Sequence, residues 1–235
     1  MTTLSDLKVF TTHPHQCSYL EEQQATTLFI DPATDLDVPT YSQLADAGFR
    51  RSGPHIYRPN CGDCNACISV RVPVAEFKPS RNQRKIINRN SDLKAVEIDN
   101  IQSDECYQLY HRYICARHRD GDMYPPTPEQ YESFLSNELG NTRYFGLFQD
   151  SKLVAVAVTD VLENGLSAIY TFFDPDHSKR SLGSYAILWQ IKKGIELELP
   201  YLYLGYWIKQ CQKMSYKSDY RPLQLLVNNR WVSIA

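Results

Sequence analysis

The run from Leu153 to Val161, LVAVAVTDV, constrains the fold more than any other stretch of this chain. Its apolar residues do not alternate with polar ones, which is typical of a central strand covered on both faces. Two further β-rich runs flank it, at Arg143 to Phe148 and at Leu166 to Phe173, and Asn164-Gly165 separates the last two. Asn-Gly is a strong hairpin signal, so the sequence predicts an antiparallel meander.

Helical spacing of apolar residues and capping signals predict four helices and one more strand around this meander. In the last helix the apolar stretch follows the loop HSKRSLGSY, and the strand YLYLGYWI comes directly after it. The predicted helices run from Thr40 through Ala47, Ser103 to Arg117, Thr127 to Gly140 and Ser181 to Leu197. Helices and a largely antiparallel sheet in this order indicate an α+β protein.

The chain of 235 residues is long enough for one large or two modest domains. Residues 1–75 are rich in turn formers and contain four of the seven cysteines, and we expect them to form a smaller N-terminal domain. Between Lys78 and Arg89 the chain has five basic residues and no acidic one, so residues 76–100 are predicted to be a basic connecting segment or exposed arm. Residues 101–235 then form the C-terminal domain.

Charge and hydropathy narrow the classes of function. The formal net charge is −2, so any site for a nucleic acid must be a local basic patch. The N-terminus lacks the pattern of a signal peptide, and the chain has no apolar run of about 18 residues. We therefore expect a cytoplasmic protein with no membrane partner, in which clustered cysteines serve metal binding or reactivity rather than disulfides.

The stretch YTFFDPDHSKRSLGSY, from the third strand of the meander into the following helix, resembles the strand and loop of the GNAT acetyltransferase superfamily. There a strand ends in Asx-Pro, and an Arg-x-x-Gly loop opens a helix whose free amides bind phosphate. This chain has Asp174-Pro175 followed by Arg180-Ser181-Leu182-Gly183, but Tyr185 occupies the place of a second small residue. The resemblance implies a GNAT-like mixed sheet with flanking helices, and Tyr185 argues against coenzyme A as the ligand.

Longer segments carry a second resemblance, which runs from about residue 12 to residue 226: YSQLADAGFRRSGPHIYRPNC, CNACISVRV, RHRDGDM, YTFFDPDHSKRSLGSYAILWQI and YLYLGYWIKQCQKMSYKSDYRPLQLL. Together they are similar to the aminoacyl-tRNA–protein transferases of the N-degron pathway, and most of all to the short bacterial members. The resemblance implies that leucine passes from leucyl-tRNA to the α-amine of proteins that begin with Asp or Glu, which marks them for degradation.

This reaction needs groups that align two substrates, accept an amine proton and stabilise the oxyanion. For the amine and the reacting carbonyl, the matched segments offer His118, Asp120, Asp122 and Tyr170 as candidate catalytic residues. An acidic acceptor side chain requires a cation, for which the candidates are Arg50, Arg58 and Arg71. Tyr170, Phe172 and Trp207 are candidates for an apolar leucyl pocket.

Phosphate groups of tRNA require a basic patch, and two stretches of the chain offer one. The expected tRNA-binding residues of the first stretch are Lys78, Arg81, Arg84, Lys85 and Arg89. Those near the acceptor end of the tRNA are Lys179, Arg180, Gly183 and Ser184. Solvated surface positions are the simpler interpretation of each basic residue.

Three cysteines spaced Cys-x-x-Cys-x-x-Cys suggest a metal site, because this spacing lets thiolates converge on one ion. Longer members of the family have a Cys-Gly-Tyr-Cys-like motif, where this chain has Cys17-Ser18-Tyr19-Leu20. A structural zinc or iron–sulfur cluster would use Cys17, Cys61, Cys64 and Cys67, although the transfer itself requires no cofactor. The alternative is that the thiols are packing residues in a metal-free domain.

Other functions stay open at this point. Arginyl transfer to the same N-termini would require a buried carboxylate that faces the donor side chain. N-acetyltransferase activity of the GNAT type is opposed by Tyr185 and by the basic stretch. A non-catalytic metal- or RNA-binding module is the alternative outside the enzymes. The sequence identifies neither the general base nor the oligomeric state.

Overall fold

The computed structural model describes residues 4–137 and 139–234 of the chain. The five α-helices are α1 (Val38–Asp46), α2 (Arg81–Arg89), α3 (Asp104–Arg117), α4 (Pro128–Leu135) and α5 (Leu182–Glu196). Three 3-10 helices cover Leu4–Asp6, Pro175–Arg180 and Gln212–Asp219. None of the helices in these residues is long and apolar enough to span a membrane.

The strands form two sheets and one short hairpin. The first seven strands are β1 (Val9–Thr11), β2 (His15–Gln16), β3 (Gln24–Ala25), β4 (Thr27–Ile30), β5 (Arg50–Ser52), β6 (His55–Pro59) and β7 (Ile68–Pro73). The others are β8 (Lys94–Glu97), β9 (Thr142–Gln149), β10 (Lys152–Leu162), β11 (Gly165–Phe173), β12 (Tyr201–Trp207), β13 (Leu223–Val227) and β14 (Arg230–Ile234). Their mixture with the helices confirms an α+β protein.

The large sheet has eight strands in the order β14-β13-β7-β12-β11-β10-β9-β8. Its strand pairs are antiparallel except for β11 and β12, which are parallel and are joined through α5. β9, β10 and β11 form the predicted meander, and the turn between β10 and β11 consists of Glu163 and Asn164, between the paired Leu162 and Gly165. A smaller antiparallel sheet has the order β1-β4-β6-β5, and β2 pairs with β3.

Strand β10 is covered on both faces, as its sequence predicts. Val156 and Val158 pack in a core with α3 and α4. Ala155 and Ala157 belong to a second core with Leu182 and Ala186 of α5 on the other face. Because successive side chains point to opposite faces, an unbroken apolar run supplies both cores.

Helix ends follow the capping chemistry of the sequence, with two differences. Ser103 caps α3, and Thr127 accepts a hydrogen bond from the Gln130 amide at 3.2 Å. The cap of α1 is Asp37 rather than Thr40, because Asp37 Oδ1 accepts the Thr40 amide at 2.8 Å. Helix α4 ends at Leu135, whereas the sequence predicted that it would run to Gly140.

The basic stretch, predicted to be a connecting segment or an exposed arm, forms helix α2. Ser80 and Gln83 form a reciprocal capping box at the start of α2, and Ile86 packs into the core with α5. Buried Asn90 follows the helix and donates hydrogen bonds to the carbonyls of Ile86 and Arg180, both at 2.9 Å. The helix therefore supports the loop that leads into α5.

The N-terminal residues are tied closely to the large sheet. β7 lies at residues 68–73, on the N-terminal side of the predicted division at residue 75, yet it pairs with β12 and β13. The small sheet and α1 share a core with Leu162 and Tyr203 of the large sheet. The division into residues 1–75, 76–100 and 101–235 stays a prediction.

Candidate active site

A gap opens where the parallel strands β11 and β12 separate. The two strands pair at three positions, and the last of these is Ser167↔Tyr203. Beyond it β11 continues to Phe173 and β12 to Trp207. A local register shift between Tyr203 and Gly205 marks the same place on the β7 side of β12.

Arg50 enters this gap from β5. Its Nη1 donates to Ser167 Oγ at 2.8 Å and its Nη2 to the Ala168 carbonyl at 2.7 Å. Gly205 has φ +81°, and a Cβ there would lie 3.1 Å from Arg50 Nε, so glycine is required by both conformation and space. The guanidinium is buried and forms no salt bridge with any described residue.

Lys217, which sequence reasoning missed, lies beside this gap. It is 8% exposed, and its Nζ donates to the Tyr206 carbonyl at 2.6 Å. Burial, followed by the positive charge of Arg50, lowers the pKa of Lys217 to about 7, while the Cys211 thiolate acts in the opposite direction. The segment YKSDY belongs to the matched stretches, but nothing in it distinguishes a buried lysine from a solvated one.

The other two candidate arginines are occupied within the fold. Arg71 Nη1 lies 2.6 Å from Asp46 Oδ1, and its guanidinium stacks 3.5 Å from the centre of the Tyr201 ring. Arg58 donates to the Ala47 carbonyl at 3.0 Å and lies over the Phe49 ring. Of the three, Arg50 is the one that combines burial with the lack of a carboxylate in the described residues.

The residues predicted to handle the acceptor amine lie on the loop that follows α3. His118 Nε2 is 3.1 Å from the Tyr113 hydroxyl, and burial, then the charges of Arg117 and Lys213, lower the pKa of His118. Asp120 is exposed, and its hydrogen bond with Lys213 at 2.6 Å lowers its pKa. Asp122 is exposed, and its carbonyl accepts a hydrogen bond from the Gln130 side chain.

Aromatic candidates for the leucyl pocket differ in exposure. Tyr170 is half-buried, donates to Met123 Sδ at 3.4 Å, and has a pKa raised by burial. Trp207 is half-buried at the end of β12. Phe172 is fully buried against the Tyr110 ring, so in this structure it is a core residue. Tyr170 and Trp207 keep surface that a ligand can reach.

The expected tRNA-binding residues form an exposed basic surface on one side of α2. Its exposed members are Lys78, Arg81, Arg84, Lys85, Arg89 and Lys179. Arg89 donates to the Lys179 carbonyl, which joins this surface to the loop before α5. Arg180 forms a two-point salt bridge with Asp92, at 2.9 and 2.7 Å. Gly183 and Ser184 lie in the first turn of α5, which has no side-chain cap.

The predicted metal ligands lie near one another around Cys67. The pKa of this thiol is raised to about 12, first by burial and then by the thiolate charges of other cysteines: Cys61, Cys17, Cys64 and Cys211. Across residues 4–137 and 139–234, however, no three His, Cys, Asp or Glu side chains are arranged to hold a metal ion. The four predicted ligands therefore do not fit a zinc or iron–sulfur site as they are placed here. Cys211 is a fifth cysteine that the spacing in the sequence did not identify.

The 3-10 helix Gln212–Asp219 connects the two groups of candidate residues. Lys213 at its start contacts Asp120 on the amine-side loop, and Lys217 near its end lies with Arg50. The Lys213–Asp120 pair is exposed and contributes little stability, but it is a contact between the loop and the helix. The candidate anion site, Arg50 with Lys217, therefore lies near one end of this 3-10 helix, and the loop with the candidate proton acceptor His118 lies near the other end.

Comparisons with known proteins cover almost the whole chain. A family model described as "Arginine-tRNA-protein transferase, N terminus" matches residues 15–85, and the corresponding C-terminus model matches residues 105–227. A protein of Pseudomonas fluorescens (strain SBW25) called aspartate/glutamate leucyltransferase is 53% identical over 100% of both chains. The protein of that name from Teredinibacter turnerae is 55% identical over 100% of this chain and 97% of its own.

A further protein of that name, from Pseudomonas aeruginosa (strain LESB58), is 54% identical over 100% of both chains. Among solved structures, L-PGS from Bacillus licheniformis aligns with a TM-score of 0.48 and 14% identity, over 61% of this chain and 47% of its own.

Proposed function

This chain belongs to the arginine-tRNA-protein transferase family, and we propose that it transfers leucine from leucyl-tRNA to the α-amine of proteins that begin with Asp or Glu. The observation that carries this proposal is the full-length similarity, at 53% identity, to an aspartate/glutamate leucyltransferase. An aminoacyltransferase of this kind needs an acidic-residue pocket, a site for an apolar donor side chain and a surface for tRNA.

Arg50 supports the acidic-residue pocket. Two of its five N–H groups are used by Ser167 and Ala168, and the others are free to form a two-point contact with a carboxylate. A buried guanidinium without a carboxylate partner is unfavourable in the free protein, so an incoming anion restores the missing interaction. Arg58 and Arg71 lie in the same half of the chain but already have partners.

The buried carboxylates favour leucine over arginine as the transferred residue. Asp160 is held by Arg51 at 2.7 Å. Although burial acts to raise the pKa of Asp174, hydrogen bonds from Lys152 and Arg112 lower it to about 2. These two are the fully buried carboxylates in the described part of the chain, and neither is left to pair with a donor guanidinium. An apolar donor side chain requires no such partner.

The reaction is aminolysis of an ester. The acceptor nitrogen attacks the leucyl carbonyl, an N–C bond forms, and the C–O bond to the ribose breaks, while the proton lost by the amine ends on the ribose oxygen. The lowered pKa of His118 keeps its imidazole neutral at neutral pH, so it is able to accept that proton. Asp120 and Asp122 are candidates for holding the α-ammonium, and Tyr170 for contacting the reacting carbonyl.

A GNAT-like arrangement of β11, α5 and β12 supports a site for the acceptor end of the tRNA at the start of α5. The parallel strands β11 and β12, joined through α5, separate at the gap, and the uncapped first turn of α5 carries amides that suit a phosphate. The exposed basic surface of α2 continues from this point through Arg89 and Lys179. Phosphates of the acceptor stem would lie on α2, and the terminal phosphates near Gly183 and Ser184.

A metal on the cysteines would serve architecture rather than transfer. Leucyl-tRNA already supplies an activated carbonyl, so the reaction needs neither a Lewis acid nor a thiolate. The Cys67 thiol, with its pKa near 12, stays protonated at neutral pH and is a poor nucleophile. As they are placed in this structure, Cys17, Cys61, Cys64 and Cys67 do not fit zinc or an iron–sulfur cluster, and a metal on them stays a prediction that elemental analysis tests.

The decisive experiment offers the purified protein separate leucyl-tRNA and arginyl-tRNA pools with peptides that begin with Asp, Glu or Asn. We expect transfer of leucine to the Asp and Glu peptides and little transfer to the Asn peptide. Preferential use of arginyl-tRNA would contradict the donor assignment. Equal use of the Asn peptide would contradict the acceptor assignment. Binding of tRNA without ester aminolysis would identify a non-catalytic binding module.

A further inference from the structure

Lys217 is a buried cation that no step described so far uses. It lies in the 3-10 helix Gln212–Asp219, and its ammonium donates a hydrogen bond to the Tyr206 carbonyl at 2.6 Å. Within residues 4–137 and 139–234 it forms no salt bridge. A lysine is rarely buried without a partner, because removing its charge from water is unfavourable.

Among the described residues, the groups around Lys217 include a second cation but no acidic partner. Arg50 packs against Gly205, and Lys217 binds the carbonyl of the next residue, Tyr206, so both cations meet β12 at the same place. The titratable and charged groups that act on Lys217 are Arg50 from β5 and the thiol of Cys211 before the 3-10 helix, and the Tyr216 ring lies 5.9 Å from its Nζ. No carboxylate of the residues that the structure describes is among them.

Two cations held together in a buried place repel each other, and a ligand that supplies the opposite charge relieves this repulsion. We propose that Lys217 and Arg50 together bind the side-chain carboxylate of the acceptor's first residue, and that Lys217 takes up a proton as this carboxylate binds. The inference rests on the proposed function, and it names the second recognition residue of the acceptor pocket. The planar Arg50 fork orients the carboxylate, whereas Lys217 adds a point charge.

Proton uptake has a defined sign and pH range. In the free protein the Lys217 ammonium loses its proton as the pH rises through about 7. A bound carboxylate favours the charged form and raises the pKa of Lys217, so the complex keeps the proton to a higher pH. Affinity for an acidic acceptor is therefore highest below pH 7. Above pH 7 it falls about tenfold per pH unit, until the pH reaches the higher pKa of Lys217 in the complex.

The test is calorimetric binding of peptides to the full-length protein without tRNA, so that no transfer occurs. Peptides that differ only in a first residue of Asp or Asn share the same α-amine, and titrations in buffers of different ionisation enthalpy count the protons taken up. At pH 8 we expect the unmodified protein to take up about one proton more with the Asp peptide than with the Asn peptide. Equal proton counts for the two peptides would overturn the inference without the need for any variant.

Variants then assign the effect to Lys217. Lys217→Met keeps the length of the side chain, removes the charge, and is expected to weaken Asp-peptide binding roughly tenfold or more with little effect on the Asn peptide. Lys217→Arg retains the charge and is expected to keep the preference for Asp while losing the proton uptake. Lys209→Met, at an exposed lysine of the same region, is the matched control and should match the unmodified protein.

Two other results would overturn the assignment. If Lys217→Met weakens binding of leucyl-tRNA and leaves the Asp-peptide affinity intact, the anion is a tRNA phosphate. If it leaves both affinities intact and abolishes only the rate, Lys217 acts as the base rather than as a recognition residue. Failure of the unmodified protein to transfer leucine to any Asp peptide would refute the proposed function instead, which separates the two conclusions.

Discussion

Replacing Arg50 with Met is the most direct test of the acidic-residue pocket. The variant loses two hydrogen bonds from a charged donor, to Ser167 Oγ and the Ala168 carbonyl. At about 1.5 kcal/mol each, these bonds account for about 3 kcal/mol of stability, and removing a buried charge from beside Lys217 offsets part of this loss. The variant should therefore fold and should melt at a lower temperature.

The effect of Arg50→Met on transfer should be larger and selective. Loss of a desolvated carboxylate partner costs about 2 to 4 kcal/mol, which lowers kcat/KM for an Asp peptide roughly 30- to 1,000-fold. An Asn peptide has no charge to lose, so its kcat/KM should change little and the Asp-to-Asn ratio should approach one. The assay is leucine transfer to both peptides, at a temperature below the melting transitions of all proteins compared.

Arg71→Met is the matched control, because Arg71 is also buried and also donates charged hydrogen bonds, here to Asp46 and Gln224. This variant should lose stability to a similar degree and keep the Asp-to-Asn ratio. An unchanged ratio in Arg50→Met, or a collapsed ratio in Arg71→Met, would refute the assignment of the pocket to Arg50.

Three further changes test other parts of the molecule. Neutralising three exposed basic residues of α2, Arg81, Arg84 and Lys85, should weaken tRNA binding and flatten its salt dependence without affecting peptide affinity. Neutralising exposed Lys8 and Arg230 is the control and should change neither tRNA binding nor its salt dependence. Cys64→Ser should lower the melting temperature and any bound metal together, as measured by elemental analysis of protein purified without oxygen or chelator; a stable, metal-free and fully active variant would leave the cysteines as packing residues. Asp160→Asn should destabilise the protein by about 3 to 5 kcal/mol in denaturant unfolding, because it leaves buried Arg51 without its carboxylate, and a loss below about 1 kcal/mol would contradict that view.

The meander and the long helices could be predicted because their signals are local. An Asn-Gly turn, a run of nine mostly apolar residues and a Ser103 cap each act within a few positions of the chain. The N-terminal strands could not be predicted in the same way, since β2 and β3 have two residues each and β1 has three. β7 joins the large sheet only through partners more than 120 residues away, such as Leu202 opposite Val72.

The same distinction applies to the candidate site. Sequence reasoning offered three arginines for the acceptor carboxylate and favoured Arg71 for the test. It could not show that Asp46 already pairs with Arg71, because the fold brings the two together. Lys217 was missed because its burial depends on the packing of a 3-10 helix against β12. Residue type suggests what a side chain can bind, but only tertiary structure reveals whether another group already binds it.

If Arg50 and Lys217 recognise the acceptor as proposed, the two halves of the chain depend on each other for this site. Arg50 comes from the small sheet, whereas Ser167 and Lys217 come from elements more than 100 residues later. Arg50 lies where β11 and β12 separate, and it donates hydrogen bonds there to Ser167 Oγ and the Ala168 carbonyl. The site therefore forms only when both regions are folded against each other, so damage to the N-terminal half, including its cysteine-rich loop, should first appear as loss of discrimination between acidic and neutral acceptors.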